Sequence, residues 1–192
     1  MFGMRSGQCK LPRPAVARLK PLAGASVNGS VDEAVIGPVA AVPAVANRLV
    51  VGDSGPLLAL FNRSNRWHSP VMQWLKTNPQ ASLLTIWPVL TEVCTLLARR
   101  LGNDSARDFL RWCQRGGITL DAPSLDVVPD TLEQVLLISE RLNDLPFDLT
   151  DASVAEVAAR RGIAHVLTID SDIGEYRDGT GKALWHVLRD GW

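Results

Sequence analysis

Apolar residues are unevenly distributed along this chain, and their pattern changes abruptly at Leu49. From there, short apolar runs of strand length alternate with longer stretches in which apolar residues recur at helical spacing. RLVVGD, ASLLTI, ITLDA and IAHVLTID have the length and β-branched content of strands, and KALWHVL reads as a fifth, at an edge. Between them PLLALFNR, RWHSPVMQWLKTN, WPVLTEVCTLLARRLG, SARDFLRWCQRG, PDTLEQVLLISERLND and LTDASVAEVAARRG read as helices. Pro56, Pro70 and Pro129 fall where a first turn tolerates proline, Gly102, Gly116, Gly117 and Gly162 fall where helices stop, and Asn103 or Asp104 is the expected cap of the fourth helix. This alternation predicts an α/β domain with a central, mainly parallel sheet flanked by helices on both faces.

Residues 1–47 follow neither period. They are dominated by Ala, Val, Gly and Pro, and such a segment gains too little from burial to offset the entropy of ordering it. The expected organisation is an extension over 1–47, disordered or placed upstream of a true start near Arg48, and one domain over 48–192. The apolar stretch AVIGPVAAVPAVA at 34–46 is too short to span a bilayer and is broken by Pro38 and Pro43, so neither a signal peptide nor a membrane helix is expected.

Charge sharpens this division. Residues 1–48 carry six Lys and Arg against two acids; of the 20 of each in the 192-residue chain, fourteen and eighteen are left for 49–192, a balance of +4 and −4. A uniformly basic surface for nucleic acid is excluded, and any such ligand would be gripped by local arginines and bound metal. Cys9, Cys94 and Cys113 are odd in number and form no CxxC pair, which disfavours a disulfide framework or a zinc site and fits a reducing, cytoplasmic setting.

Within that acidic domain, four carboxylates occupy positions where charge is costly. Asp53 and Asp170 close apolar strands, at the sheet edge where open α/β folds place their ligand crevice, and Glu92 and Asp151 lie on apolar helix stripes. At mutual distances of about 5 Å each pair would repel by roughly 3 kcal/mol at an effective dielectric of about 20, so a cluster would raise at least one pKa and favour a hard dication. An all-oxygen donor set selects Mg²⁺ or Mn²⁺ over zinc, and such ions serve phosphodiester hydrolysis. Each acid also has a structural reading: Asp53 as a helix N-cap, Asp151 as half of a capping box with Asp148, Glu92 as a partly exposed helix residue, and one of Asp170, Asp172 and Glu175 as a turn acid.

VVGDSGPLLALF, PVLTEVCTLLARR, LTDASVAEVAARRGI and VLTIDSDIGEYR together resemble the PIN domain, and more closely the VapC-type ribonuclease toxins of toxin–antitoxin pairs, over residues 49 to about 178. The resemblance implies a PIN-like three-layer α/β fold, Mg²⁺-dependent endoribonuclease activity on RNA, a homodimer and a neutralising antitoxin protein. It implies that Asp53, Glu92, Asp151 and Asp170 are the catalytic, metal-binding quartet, with Asp172 a further metal candidate and Ser54 a hydroxyl that orients a ligand carboxylate or water. The extension 1–47 departs from that pattern. His68, His165 and His186 fit no metal or triad spacing, and Arg99, Arg100, Arg107, Arg111 and Arg115 read as a solvated face or antitoxin contact, with RNA phosphate binding as the alternative. Trp67, Trp74 and Trp112 fall on helices at positions suited to core or dimer packing, with base stacking by one of them as the alternative. The competing function is a PIN-like module that binds RNA or protein without cutting.

Overall fold

The computed structural model describes residues 48–142, 148–177 and 181–189. The extension 1–47, with Cys9, lies outside them, as does the expected end of the LEQVLLISERLND helix beyond Leu142. The elements run β1 (Arg48–Gly52), α1 (Ser54–Phe61), α2 (His68–Thr77), β2 (Ala81–Ile86), α3 (Trp87–Leu101), α4 (Asn103–Gln114), β3 (Thr119–Asp121), α5 (Val128–Arg141), α6 (Leu149–Arg161), β4 (His165–Leu167), a 3-10 turn (Asp172–Glu175) and β5 (Trp185–His186).

The five strands form one parallel sheet in the order β3-β2-β1-β4-β5. Val50 and Val51 on successive positions of central β1 are both fully buried, so both faces of the sheet are covered by helices. This is the three-layer α/β arrangement expected from the alternation of runs. The chain goes outward from β1 through β2 to β3 and then returns to the other side of β1 with β4, so the switch point lies between β1 and β4. Among the described residues no helix is long and apolar enough to cross a membrane.

Local chemistry explains most boundaries. Asp53 caps α1, whose Pro56 sits in the first turn, and Gly162 ends α6 in the left-handed conformation at φ 63°. The expected cap of α4 differs: Gly102, at φ 95°, takes the N-cap position without a side-chain bond, and Asn103 and Asp104 lie inside the first turn. A glycine with positive φ turns the chain directly from α3 into α4 and leaves no residue between them for a polar cap. β4 stops at Leu167, three residues before the apolar run ends, because the Thr168 hydroxyl takes the backbone N–H of Asp170 at 3.0 Å. Trp74 and Trp112 are buried, as their spacing predicts, and half-buried Trp67 packs against the core.

A charged knot ties α6 to edge strand β3. Asp121, with 1% of its side chain exposed, receives Arg160 at 2.7 Å and also Arg161. Arg160 holds Glu156 as well, at 2.6 Å, and the Glu156 side chain is 6% exposed. Arg160 therefore serves two buried carboxylates while Arg161 shares one. Removing one partner of a buried pair strands a charge. Urea unfolding should give Arg160→Ala a loss of about 3 kcal/mol and Arg161→Ala about 1 kcal/mol; equal losses would contradict this division.

Candidate functional site

The site forms where α1, α3, α6 and the segment after β4 meet the carboxyl ends of the central strands. β1 and β4 are neighbours, and the Asp53 backbone N–H donates to the Leu167 carbonyl at 3.0 Å, fixing the two exits together. Thr85 at the end of β2 donates its hydroxyl to the Gly52 carbonyl at 2.9 Å, which ties the third exit in. Gly55 lets α1 close down on that edge: a Cβ there would lie 2.5 Å from Ile169 Cγ1, between Thr168 and Asp170.

Hydrogen bonds then run through the acids in sequence. Asp53 Oδ1 accepts from the Ser54 backbone N–H at 2.5 Å and Oδ2 from the Thr168 hydroxyl at 2.7 Å. The Ser54 hydroxyl donates to Glu92 Oε2 at 2.7 Å, as the resemblance implied for that residue. Thr168 accepts from the Asp170 N–H, and Asp170 Oδ1 accepts from the Asp172 N–H at 2.9 Å. Two hydroxyls thus hold Asp53 and Glu92 in place and link Asp53 to the Asp170 backbone.

Thr168 is the residue that sequence reasoning missed. Its signal is a small hydroxyl two residues before a strand-end acid, the counterpart of Ser54 beside Asp53.

Electrostatics show which of these acids lie near one another. Burial pushes the Asp53 pKa up to about 6, against the Thr168 and Ser54 hydrogen bonds, and the charges of Glu92 and Asp170 push it further. Asp151 rises to about 7, through burial first and then through the charges of Asp53, Asp148 and Asp170, against its own backbone bond. Asp53 thus lies within reach of the charges of Glu92 and Asp170, and Asp151 within reach of those of Asp53 and Asp170. Asp151 also fills its structural role, since Asp148 and Asp151 make the full capping box of α6, with Asp151 Oδ2 on the Asp148 N–H at 3.0 Å. Asp53 likewise is both N-cap and site acid.

Asp172 stands apart. It opens the 3-10 turn and accepts from the Ser171 hydroxyl at 3.3 Å, and it enters neither the Asp53 nor the Asp151 shift. The histidines are elsewhere: His68 Nδ1 meets the Ala59 carbonyl, and His186 is buried with Nδ1 on the Arg189 N–H. Arg107 and Arg111 pair with Asp104 and Asp108 on an exposed face.

Among the described residues no three His, Cys, Asp or Glu side chains converge as a ready-made metal cage. The donors fit a hard dication in kind. Mg²⁺ in particular binds through one or two carboxylates, keeps several waters and takes substrate phosphate oxygens, so it does not require an all-protein cage.

No family model matches this chain, and no curated protein does. A solved structure matches in fold: VapC20 of Mycobacterium tuberculosis, a sarcin–ricin loop cleaving toxin, aligns with a TM-score of 0.55 and 21% identity over 64% of this chain and 91% of that one. The chain has the PIN-like α/β fold of that neighbour, as the resemblance implied.

The raised carboxyls have a consequence for stability. A group whose folded pKa exceeds its unfolded value contributes most when protonated, so Asp53 adds stability below about pH 4 that is lost as pH rises through about 6. A shift from 3.8 to about 6 corresponds to about 3 kcal/mol at neutral pH. Asp53→Asn should therefore melt above the wild type at pH 7.5, with the gap closing toward pH 4; a variant less stable at pH 7.5 would contradict the shift.

Proposed function

We propose that this chain is a Mg²⁺-dependent endoribonuclease, with Mn²⁺ able to substitute, acting in the cytoplasm as the toxin of a toxin–antitoxin pair. What supports the reading is that Asp53, Glu92, Asp151 and Asp170 come from four separate elements around the switch point of a PIN-like sheet, with Asp53 raised by burial and by the charges of Glu92 and Asp170, and Asp151 by burial and by those of Asp53 and Asp170. The fold shared with an RNA-cleaving toxin supports it.

Asp53 and Asp170, at adjacent strand exits, would hold the ion directly, with Glu92 and Asp151 completing its surroundings through water. When bound, the ion supplies Lewis-acid polarisation of the phosphodiester and lowers the pKa of attacking water. The protein's own part is positional. Ser54 keeps Glu92 oriented and Thr168 keeps Asp53 oriented, so the acids need not reorganise when substrate arrives. Asp151, which lies in the field of Asp53 and Asp170, would take the proton from the attacking water. Attack at phosphorus breaks the bond to the 3′ oxygen, which takes a proton from solvent and leaves as a hydroxyl, and the other fragment keeps a 5′ phosphate.

A neutralising antitoxin and self-association belong to the same proposal. Their support is an apolar row on α5, where Leu132 and Leu136 are exposed beside Leu137. The competing reading, an RNA- or protein-binding module without chemistry, shares the fold but has no need for four acids around the switch point.

Full-length protein incubated with total RNA in Mg²⁺, Mn²⁺ or EDTA separates the two. Wild type should yield discrete, metal-dependent fragments, and Asp53→Asn at least about a hundredfold less. Absence of cleavage by folded wild type freed of any copurified inhibitor would favour the binding module.

A further inference from the structure

The acidic site poses a binding problem that positive charge solves only in part. The stretch 49–192 carries a balance of −4, and Arg107 and Arg111 are already paired with acids on α4. Local arginines and a bound ion would hold the phosphates, and stacking on the bases would add affinity that does not depend on charge.

Trp87 is placed to supply it. It is 55% exposed, the most exposed of the described tryptophans, whereas Trp74 and Trp112 are in the core. It leaves the sheet directly after Ile86, the last residue of β2. Val51 pairs with Leu84 and Asp121 with Ile86, so two steps along the same parallel register bring Asp53 level with Ile86. Adjacent strands lie about 4.8 Å apart, which puts the Trp87 backbone at the same edge as the acids, one strand over.

Trp87 also opens α3, the helix that carries Glu92 five residues later, and Pro88 follows it in the first turn. The indole is therefore mounted on the same rigid element as one of the acids. A large apolar side chain left in water at the sheet edge that carries the acids is not part of the core, whereas every nucleobase offers a face to stack on it.

We infer that Trp87 is a stacking platform for an unpaired RNA base next to the scissile phosphate, and so a substrate-positioning residue of the nuclease. This rests on the proposed ribonuclease activity. The platform confines cutting to single-stranded or looped RNA, because a base held in a duplex cannot present its face to the indole.

The test uses full-length protein and a short fluorescein-labelled single-stranded RNA of mixed sequence, with binding read by anisotropy in EDTA and cleavage read in Mg²⁺. Trp87→Ala should weaken binding by about tenfold to a hundredfold and raise KM more than it lowers kcat, while Trp87→Phe keeps most of the affinity. Both variants should melt with the wild type, and the salt dependence of binding should be unchanged, since no phosphate contact is removed. Wild-type affinity and KM in Trp87→Ala, in a protein that binds and cuts, would overturn the platform and leave the nuclease standing. Wild type that neither binds nor cuts RNA would remove the activity itself, and the platform with it.

Discussion

A carboxylate buried at the end of the central strand is costly, and Asp53 is tolerated there because each of its oxygens meets a donor, the Ser54 N–H on one side and the Thr168 hydroxyl on the other. Those donors come from the elements that flank the switch point. Ser54 starts α1 and also reaches Glu92 on α3, while Thr168 ends the β4 run and also takes the Asp170 N–H. Docking β4 beside β1 and fixing the acids are consequently one event. The close approach at Gly55 and the Asp53 to Leu167 backbone bond belong to the same contact.

The hydrogen bonds do not cancel the cost. Burial still outweighs them at Asp53, and Asp151 is lifted further although its backbone partner favours the charged form. Stability is thus withheld at the site and supplied elsewhere, by the core around β1 and by the knot in which Arg160 and Arg161 neutralise Asp121 and Glu156. The contrast between the two acidic clusters is informative. Asp121 ends a strand at the same edge as Asp53 but has arginines against it, so it is spent on structure; among the described residues the quartet's hydrogen-bond partners are hydroxyls and amides, which leave its charge uncompensated.

Much of this was legible in the sequence because the signals are local. Strand runs, helix periods, Pro56 and Gly162 fixed the order of elements, and acids at strand ends pointed to the edge that matters. The expected cap of α4 failed because Gly102 makes a turn that only a positive φ reveals. The Asp121 knot and the Thr168 bond to Asp53 join residues 39 to 115 positions apart, and no local pattern encodes such a pairing. Of Asp170 and Asp172, both present in one short segment, Asp170 is the one whose charge contributes to the Asp53 and Asp151 shifts. The double roles of Asp53 and Asp151 as caps and site acids explain why their structural and functional readings were equally available from sequence.

A dication bound at the proposed site would relieve the repulsion that, after burial, lifts Asp53 and Asp151. Carboxyl-detected NMR titration of Asp53 and Asp151 in the wild type tests it directly. Midpoints near 6 and 7 without metal, both falling toward the ordinary carboxylate range in saturating Mg²⁺, are the predicted result. Midpoints near 4 that ignore Mg²⁺ would contradict it.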